Sequence, residues 1–184
     1  AVSETTHGKK TDAPYRWPEL EGTPEVQAWM TAQDDYARAE LAKLPGRAEL
    51  VERLKKLFYY DAISAPNHRK GRFFYTRKHA DKEKSVVYWK QGEKGAEKVL
   101  LDPNTWSTDG SAGLGGYWPS RDGKYVAYAR KLNNSDETVT HVIDVATGKD
   151  LPDVIAGTKY SGASWTPDGK GFYYTWVPPD SETV

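Results

Sequence analysis

Over the first sixty positions apolar residues recur with a helical period, and after about Ile63 they recur every second residue. Thr23 is placed to cap a helix and Pro24 suits its first turn. Val26, Trp29, Met30, Ala37, Leu41 and Leu44 then fall on one helical face, and Pro45-Gly46 ends the element. A second stripe, Leu50, Val51, Leu54, Leu57 and Phe58, predicts another helix reaching about Tyr60. Ahead of both helices the chain is polar up to Asp12–Pro18, where two prolines forbid a continuous helix and predict an extended arm.

The change of period sets a boundary, with residues 1–61 as arm and helices and 62–184 as β structure. Arg72–Thr76, Ser85–Lys90 and Lys98–Leu101 read as three strands after a Lys70-Gly71 turn. Gly110–Gly116 reads as a flexible connector, and Tyr125–Tyr128 and Thr138–Val145 as further strands. Thr147-Gly148-Lys149 is then a turn, with Asp150-Leu151-Pro152 leading onward.

Trp118–Tyr128 and Trp165–Tyr174 repeat each other, each around an Asp-Gly-Lys turn. Their glycines are 46 residues apart (169 minus 123), the spacing of a four-stranded propeller blade. Gly71 precedes Gly123 by 52 (123 minus 71), so the first copy is a few residues longer. A third copy starts at Tyr160. The fold class is therefore mainly β, the first blades of a β-propeller. Two and a half blades cannot close a ring, and a blade covers its faces only against neighbours. The chain is expected to be part of a larger polypeptide, with Trp176–Val184 beginning a loop onward.

Composition narrows the function. The 184 residues hold 26 basic and 26 acidic side chains, so no sequence-wide field favours nucleic acid or an anionic membrane. The run His68-Arg69-Lys70 reads as a solvated turn. There is no cysteine, hence no disulfide, thiolate nucleophile or cysteine zinc site. No stretch is apolar enough to span a membrane, and Ala1–Lys10 lacks a signal-peptide core, so a cytoplasmic location is expected, or a periplasmic one if a leader has been removed. Hydrophobic residues make up only 38%, so 7 Trp, 12 Tyr and 4 Phe must carry the core, which suits β structure. Asn133-Asn134-Ser135 fits a glycosylation sequon, although turn formation explains it.

Chemistry is scarce. No Gly-x-Ser-x-Gly elbow occurs. His7, His68, His79 and His141 are dispersed, without metal-binding spacing. Asp122 and Asp168 occupy turn positions where the carboxylate bonds its own following backbone. No catalytic residue, metal or cofactor is assigned.

Several stretches, in order, resemble the amino-terminal part of the prolyl oligopeptidases. They are Pro14-Tyr15-Arg16-Trp17, Pro24–Trp29, Gly71–Tyr75, Val99–Asn104 and Trp165–Tyr173, which together cover nearly the whole chain. The resemblance implies a serine endopeptidase that cuts short peptides after proline, its seven-bladed propeller acting as a size filter over a two-segment α/β-hydrolase domain. The helices would pack on that domain, the carboxy-terminal remainder of the same polypeptide, whose triad would lie beyond Val184. This chain alone would be inactive. Its partners would be proline-containing oligopeptides, with no nucleic acid and no membrane. Tyr160 matches an aromatic that lines the pocket for the residue two before the substrate proline, with inter-blade packing as the alternative. Ala13 and Pro18-Glu19-Leu20 depart from the family pattern, which bears on the arm. Two other readings are a noncatalytic propeller that binds peptides or proteins and a related oligopeptidase cutting after Lys or Arg.

Overall fold

The computed structural model describes residues 2–133, 135–160 and 162–177. Asn134 of the sequon and most of the loop expected after Trp176 lie outside them. The backbone divides into two compact units, Ala1–Lys55 and Lys56–Val184.

The first unit opens with a hairpin that the polar sequence does not announce. Strands β1 (Val2–Thr6) and β2 (Lys9–Ala13) pair antiparallel, with Thr6 opposite Lys9. His7 and Gly8, at φ 52° and 77°, form the two-residue turn, whose paired positive φ values match the twist of the strands. No alternation betrays β2 because its residues are largely exposed. The expected extended arm ends in a single 3-10 turn, Trp17–Glu19, and the Trp17 ring meets Trp29 edge-on at 5.4 Å. Helix α1 (Pro24–Ala42) starts as its sequence dictates, with the Thr23 hydroxyl accepting the Val26 N–H at 3.4 Å. Helix α2 (Arg47–Phe58) follows. Of the two predicted apolar stripes, only Val26 is buried.

In the second unit every strand pair is antiparallel. Strands β3 (Ala62–Ile63) and β4 (Asn67–Arg69) both pair with β5 (Arg72–Lys78), so together they act as one leading strand interrupted near Pro66. β6 (Val86–Gln91) and β7 (Lys98–Leu101) complete the first sheet. The second sheet runs β8 (Gly113–Pro119), β9 (Tyr125–Lys131), β10 (Thr138–Asp144) and β11 (Lys149–Ala156) in spatial order. A third begins with β12 (Ser164–Trp165) and β13 (Phe172–Tyr173).

One expectation is corrected here. Residues 113–116 belong to β8 rather than to a connector, and the register shifts between Leu114 and Gly116. A Cβ on Gly116 would come within 2.7 Å of the Trp118 ring, so glycine is needed there for packing, not for looseness. Asp150–Pro152, which leads onward from the turn, lies within β11. Pro152 is tolerated because it falls where Leu151–Asp153 bulge opposite Val142, free of the ladder.

The core lies between the two complete sheets. Phe74, Val87, Trp89, Leu100 and Leu101 of the first face Val126, Tyr128 and Ile143 of the second, with Val145 just beyond β10. β9 buries Val126, Ala127, Tyr128 and Ala129 in succession, as a strand covered on both faces must. Arg72 crosses the seam, its Nη1 donating to the Gly123 carbonyl at 2.7 Å and its guanidinium 5.1 Å from the centre of the Trp89 ring.

Candidate functional site

The repeated turns are built from one hydrogen-bond set. Ser120 N–H donates to the Tyr125 carbonyl at 2.8 Å and Gly123 N–H to the Ser120 carbonyl at 2.9 Å. Tyr125 N–H donates to Ser120 Oγ at 3.0 Å, while Ser120 Oγ and Lys124 N–H donate to Asp122 Oδ1 at 2.7 and 3.0 Å. All five recur 46 residues later through Thr166, Asp168, Gly169, Lys170 and Gly171, at 2.9, 3.1, 3.2, 2.6 and 3.1 Å. The equivalence pairs Pro119 with Trp165, so Trp118 and Trp165 are one position out of register with each other. Lys70-Gly71 is not a copy of this turn. It is a two-residue hairpin at φ 41° and 82°, with Arg69 opposite Arg72.

The turns occupy their aspartates. Burial would raise the Asp122 pKa, but the Lys124 amide, the Ser120 hydroxyl and the Lys124 charge hold it below the ordinary value. For Asp168 the Thr166 hydroxyl and the Lys170 amide lower it. Three of the histidines are also placed structurally. His68 Nε2 accepts the Gly71 N–H at 3.0 Å with its ring against Phe73, and His79 Nε2 lies 3.0 Å from the Tyr88 hydroxyl. His141 stacks on Tyr128, whose hydroxyl, its pKa raised by burial and by Asp150, donates to that carboxylate. Among the described residues no three His, Asp or Glu side chains come together as a metal site would require.

Tyr160 lies in the loop between β11 and β12, four residues before Ser164. The loop is bolted to β10 by Thr158, which is 2% exposed. Thr158 Oγ1 lies 2.8 Å from Thr140 Oγ1 and 3.1 Å from Thr138 Oγ1. Beyond this bolt Lys159 pairs with Glu137 at 2.8 Å. Tyr160 follows at φ 59°, a backbone conformation in which non-glycine residues are uncommon. The residue is 77% exposed, and its hydroxyl donates to Asp136 Oδ2 at 3.1 Å, which raises its pKa. Among the described residues the aromatic is therefore largely uncovered. Thr158, which fixes the loop, is an ordinary threonine in the sequence and is legible only once β10 and the loop are side by side.

Two grooves lie elsewhere in the second unit, neither of them lined by Tyr160. One, of about 570 Å³, lies where the leading strands β4, β8 and β12 end. The other, of about 630 Å³, separates the Val142, Leu151 and Ile155 side of the second sheet from Trp165, Phe172 and Tyr174.

With two up-and-down sheets, a third begun and the turn repeated, the comparison with known families is direct. The family model described as prolyl oligopeptidase, N-terminal beta-propeller domain, matches residues 1–184. The chain belongs to the prolyl oligopeptidase family. A prolyl endopeptidase of Elizabethkingia meningoseptica is 31% identical over 182 residues, which cover 99% of this chain and 26% of that protein. A solved structure from a study of two prolyl endopeptidases and their inter-domain dynamics is 58% identical at a TM-score of 0.92, over 97% of this chain and 27% of its own. Prolyl oligopeptidase B from Galerina marginata, bound to a 35mer hydrolysis and macrocyclization substrate, is 29% identical at a TM-score of 0.78, over 96% of this chain and 28% of its own. The chain thus spans about a quarter of the length of these members of the prolyl oligopeptidase family.

Proposed function

We propose that this chain is the amino-terminal propeller portion of a serine endopeptidase that hydrolyses short peptides on the carboxyl side of proline. The observation that carries the reading is the match of all 184 residues to the propeller domain of a family whose similar members are named prolyl endopeptidases. Hydrolysis would use a serine activated by histidine and an oxyanion hole, supplied by the carboxy-terminal remainder of the polypeptide, and the chain alone would not cleave. The apolar stripes of α1 and α2 would dock on that remainder. The blades would admit peptides and exclude folded proteins.

Tyr160 is assigned to the subsite for the residue two before the proline. Its exposure and the Thr158 bolt support that role: the ring is free to meet a ligand, while the loop that carries it is held. The full-length protein should release chromophore from a succinyl-Gly-Pro anilide and not from Lys or Arg analogues. The opposite preference selects the basic-specific reading, and a stable multimer without hydrolysis selects the binding module. Tyr160→Ala should lower kcat/KM about tenfold on tripeptide substrates and leave dipeptide substrates unchanged. Equal effects on both would remove Tyr160 from that subsite.

A further inference from the structure

His68, Arg69 and Lys70 read along the chain as a solvated turn, but the fold gives them company. They stand at the end of the first sheet's leading strand. The ends of the next two leading strands come alongside, enclosing the groove of about 570 Å³. Arg69 and Lys70 line it from the first sheet and Arg121 from the second, and among the described residues no carboxylate lines it. Among the described residues none of these three cations makes an ion pair. Asp122, next to Arg121 in sequence, is held inside its own turn and faces Lys124 at 3.8 Å.

The remaining wall is aromatic and fixed. A Cβ on either Gly116 or Gly162 would fall within 3 Å of the Trp118 ring, at 2.7 and 2.8 Å, so the indole is wedged between two glycines. Trp165 Nε1 donates to the Trp118 carbonyl at 2.8 Å, which ties the second indole to the end of β8. Rigid aromatic surfaces beside unpaired cations suit a ligand with both apolar stems and carboxylates.

We propose that this groove binds acidic peptide segments, with Asp or Glu carboxylates paired to Arg69, Lys70 and Arg121 and the neighbouring residues lying on Trp118 and Trp165. An arginine fork matches a carboxylate bidentately, so Arg69 and Arg121 supply geometry as well as charge. The chain carries no net charge. The attraction is therefore local, reaching about 8 Å at physiological salt, unlike the long basic surfaces that hold nucleic acid. The site stands independently of the peptidase reading, since it concerns binding and not cleavage.

The test uses the full-length protein and a fluorescein-labelled peptide free of proline, so that cleavage does not compete. Fluorescence anisotropy compares a Glu-rich peptide with its Gln isostere. The acidic peptide should bind about fivefold tighter or more at about 50 mM salt, with that advantage shrinking as salt rises. The double variant Lys70→Glu/Arg121→Glu should abolish the preference, and Lys70→Gln/Arg121→Gln should reduce it. Both positions are exposed, so thermal melting should be unchanged, and the Gln pair decides alone if the Glu pair fails to fold. Equal binding of the Glu and Gln peptides, or a preference that survives the Gln pair, overturns the proposal. So does equal displacement by free inorganic phosphate or by an oligonucleotide of matched charge, because the groove would then not be selective for peptide.

Discussion

Phe74 and Val126, from the two facing sheets, are fully buried, whereas Leu54 and Leu57 of α2 stand 41% and 62% exposed on an equally regular stripe. Each sheet covers itself with the next stretch of chain, since the core pairs Phe74, Val87 and Trp89 with Val126, Tyr128 and Ile143. The helices have no such partner among the described residues, and Trp29, Met30, Leu41 and Leu44 of the first stripe are also exposed. Periodicity therefore states which face of an element is apolar and says nothing about what covers it. In a repeat array the cover is the neighbouring repeat, which makes the blades self-supporting in a way the helices are not.

The largest effect should come from breaking the covered side of this contrast. Phe74→Ala removes a large side chain with no exposed surface from the middle of the inter-sheet core, and should cost about 3–5 kcal/mol. Urea unfolding followed by tryptophan fluorescence measures it. A loss below about 1 kcal/mol would mean that the facing sheets are not the stabilising contact.

The repeated turn comes next. Asp122→Ala leaves the Ser120 hydroxyl and the Lys124 amide without their acceptor and should cost about 1–2 kcal/mol. Because the folded-state pKa of Asp122 is depressed, its stabilisation is present above the ordinary carboxylate value and disappears as pH falls through the lowered one. Wild type should therefore lose more Tm between pH 5 and pH 3 than Asp122→Asn does, and equal losses would show that the carboxylate is not the anchor.

This turn was legible because a hydroxyl, an Asp and a Gly at fixed offsets are local chemistry, and the same holds for the Thr23 cap. The features that escaped are those whose logic is non-local. Gly116 looks like part of a linker until Trp118 is seen filling the space a side chain would take. Pro152 carries no local sign that it lies inside a strand, and only the bulge opposite Val142 accommodates it. Strand β2 carries no buried residue to set an alternating pattern. Tyr160 was singled out by resemblance, whereas the Thr158 bolt and the meeting of Arg121 with Arg69 and Lys70 depend on residues far apart in the chain.

A smaller effect separates the two faces of the first sheet. Opposite the Phe74 side, Tyr75 is 4% exposed and its hydroxyl donates to Glu97 Oε2 at 2.5 Å, with Arg77 on the other oxygen at 2.7 Å. Burial, then the bond to Glu97, pushes the Tyr75 pKa up to about 12. A raised folded-state value means that stability is complete below the ordinary tyrosine pKa and is lost as pH rises through the folded one. Tyr75→Phe should cost about 1 kcal/mol at neutral pH, and should flatten part of the fall in Tm above pH 10, leaving the share due to Tyr128. An unchanged alkaline slope would assign that fall elsewhere.

The smallest effect is the most informative about the helices. Leu54→Ala in the 184-residue chain removes a side chain that is 41% exposed, from a helix in which alanine is favoured, and should change stability by about 0.5 kcal/mol or less. In the full-length protein the same change should cost about 2 kcal/mol or more if the stripe is buried against the rest of the polypeptide. The difference between the two measurements reports on the cover directly, because helix propensity and the unfolded chain contribute equally to both. Matching small losses would leave α2 a solvated connector, and its regular apolar spacing would then have no packing role to explain it.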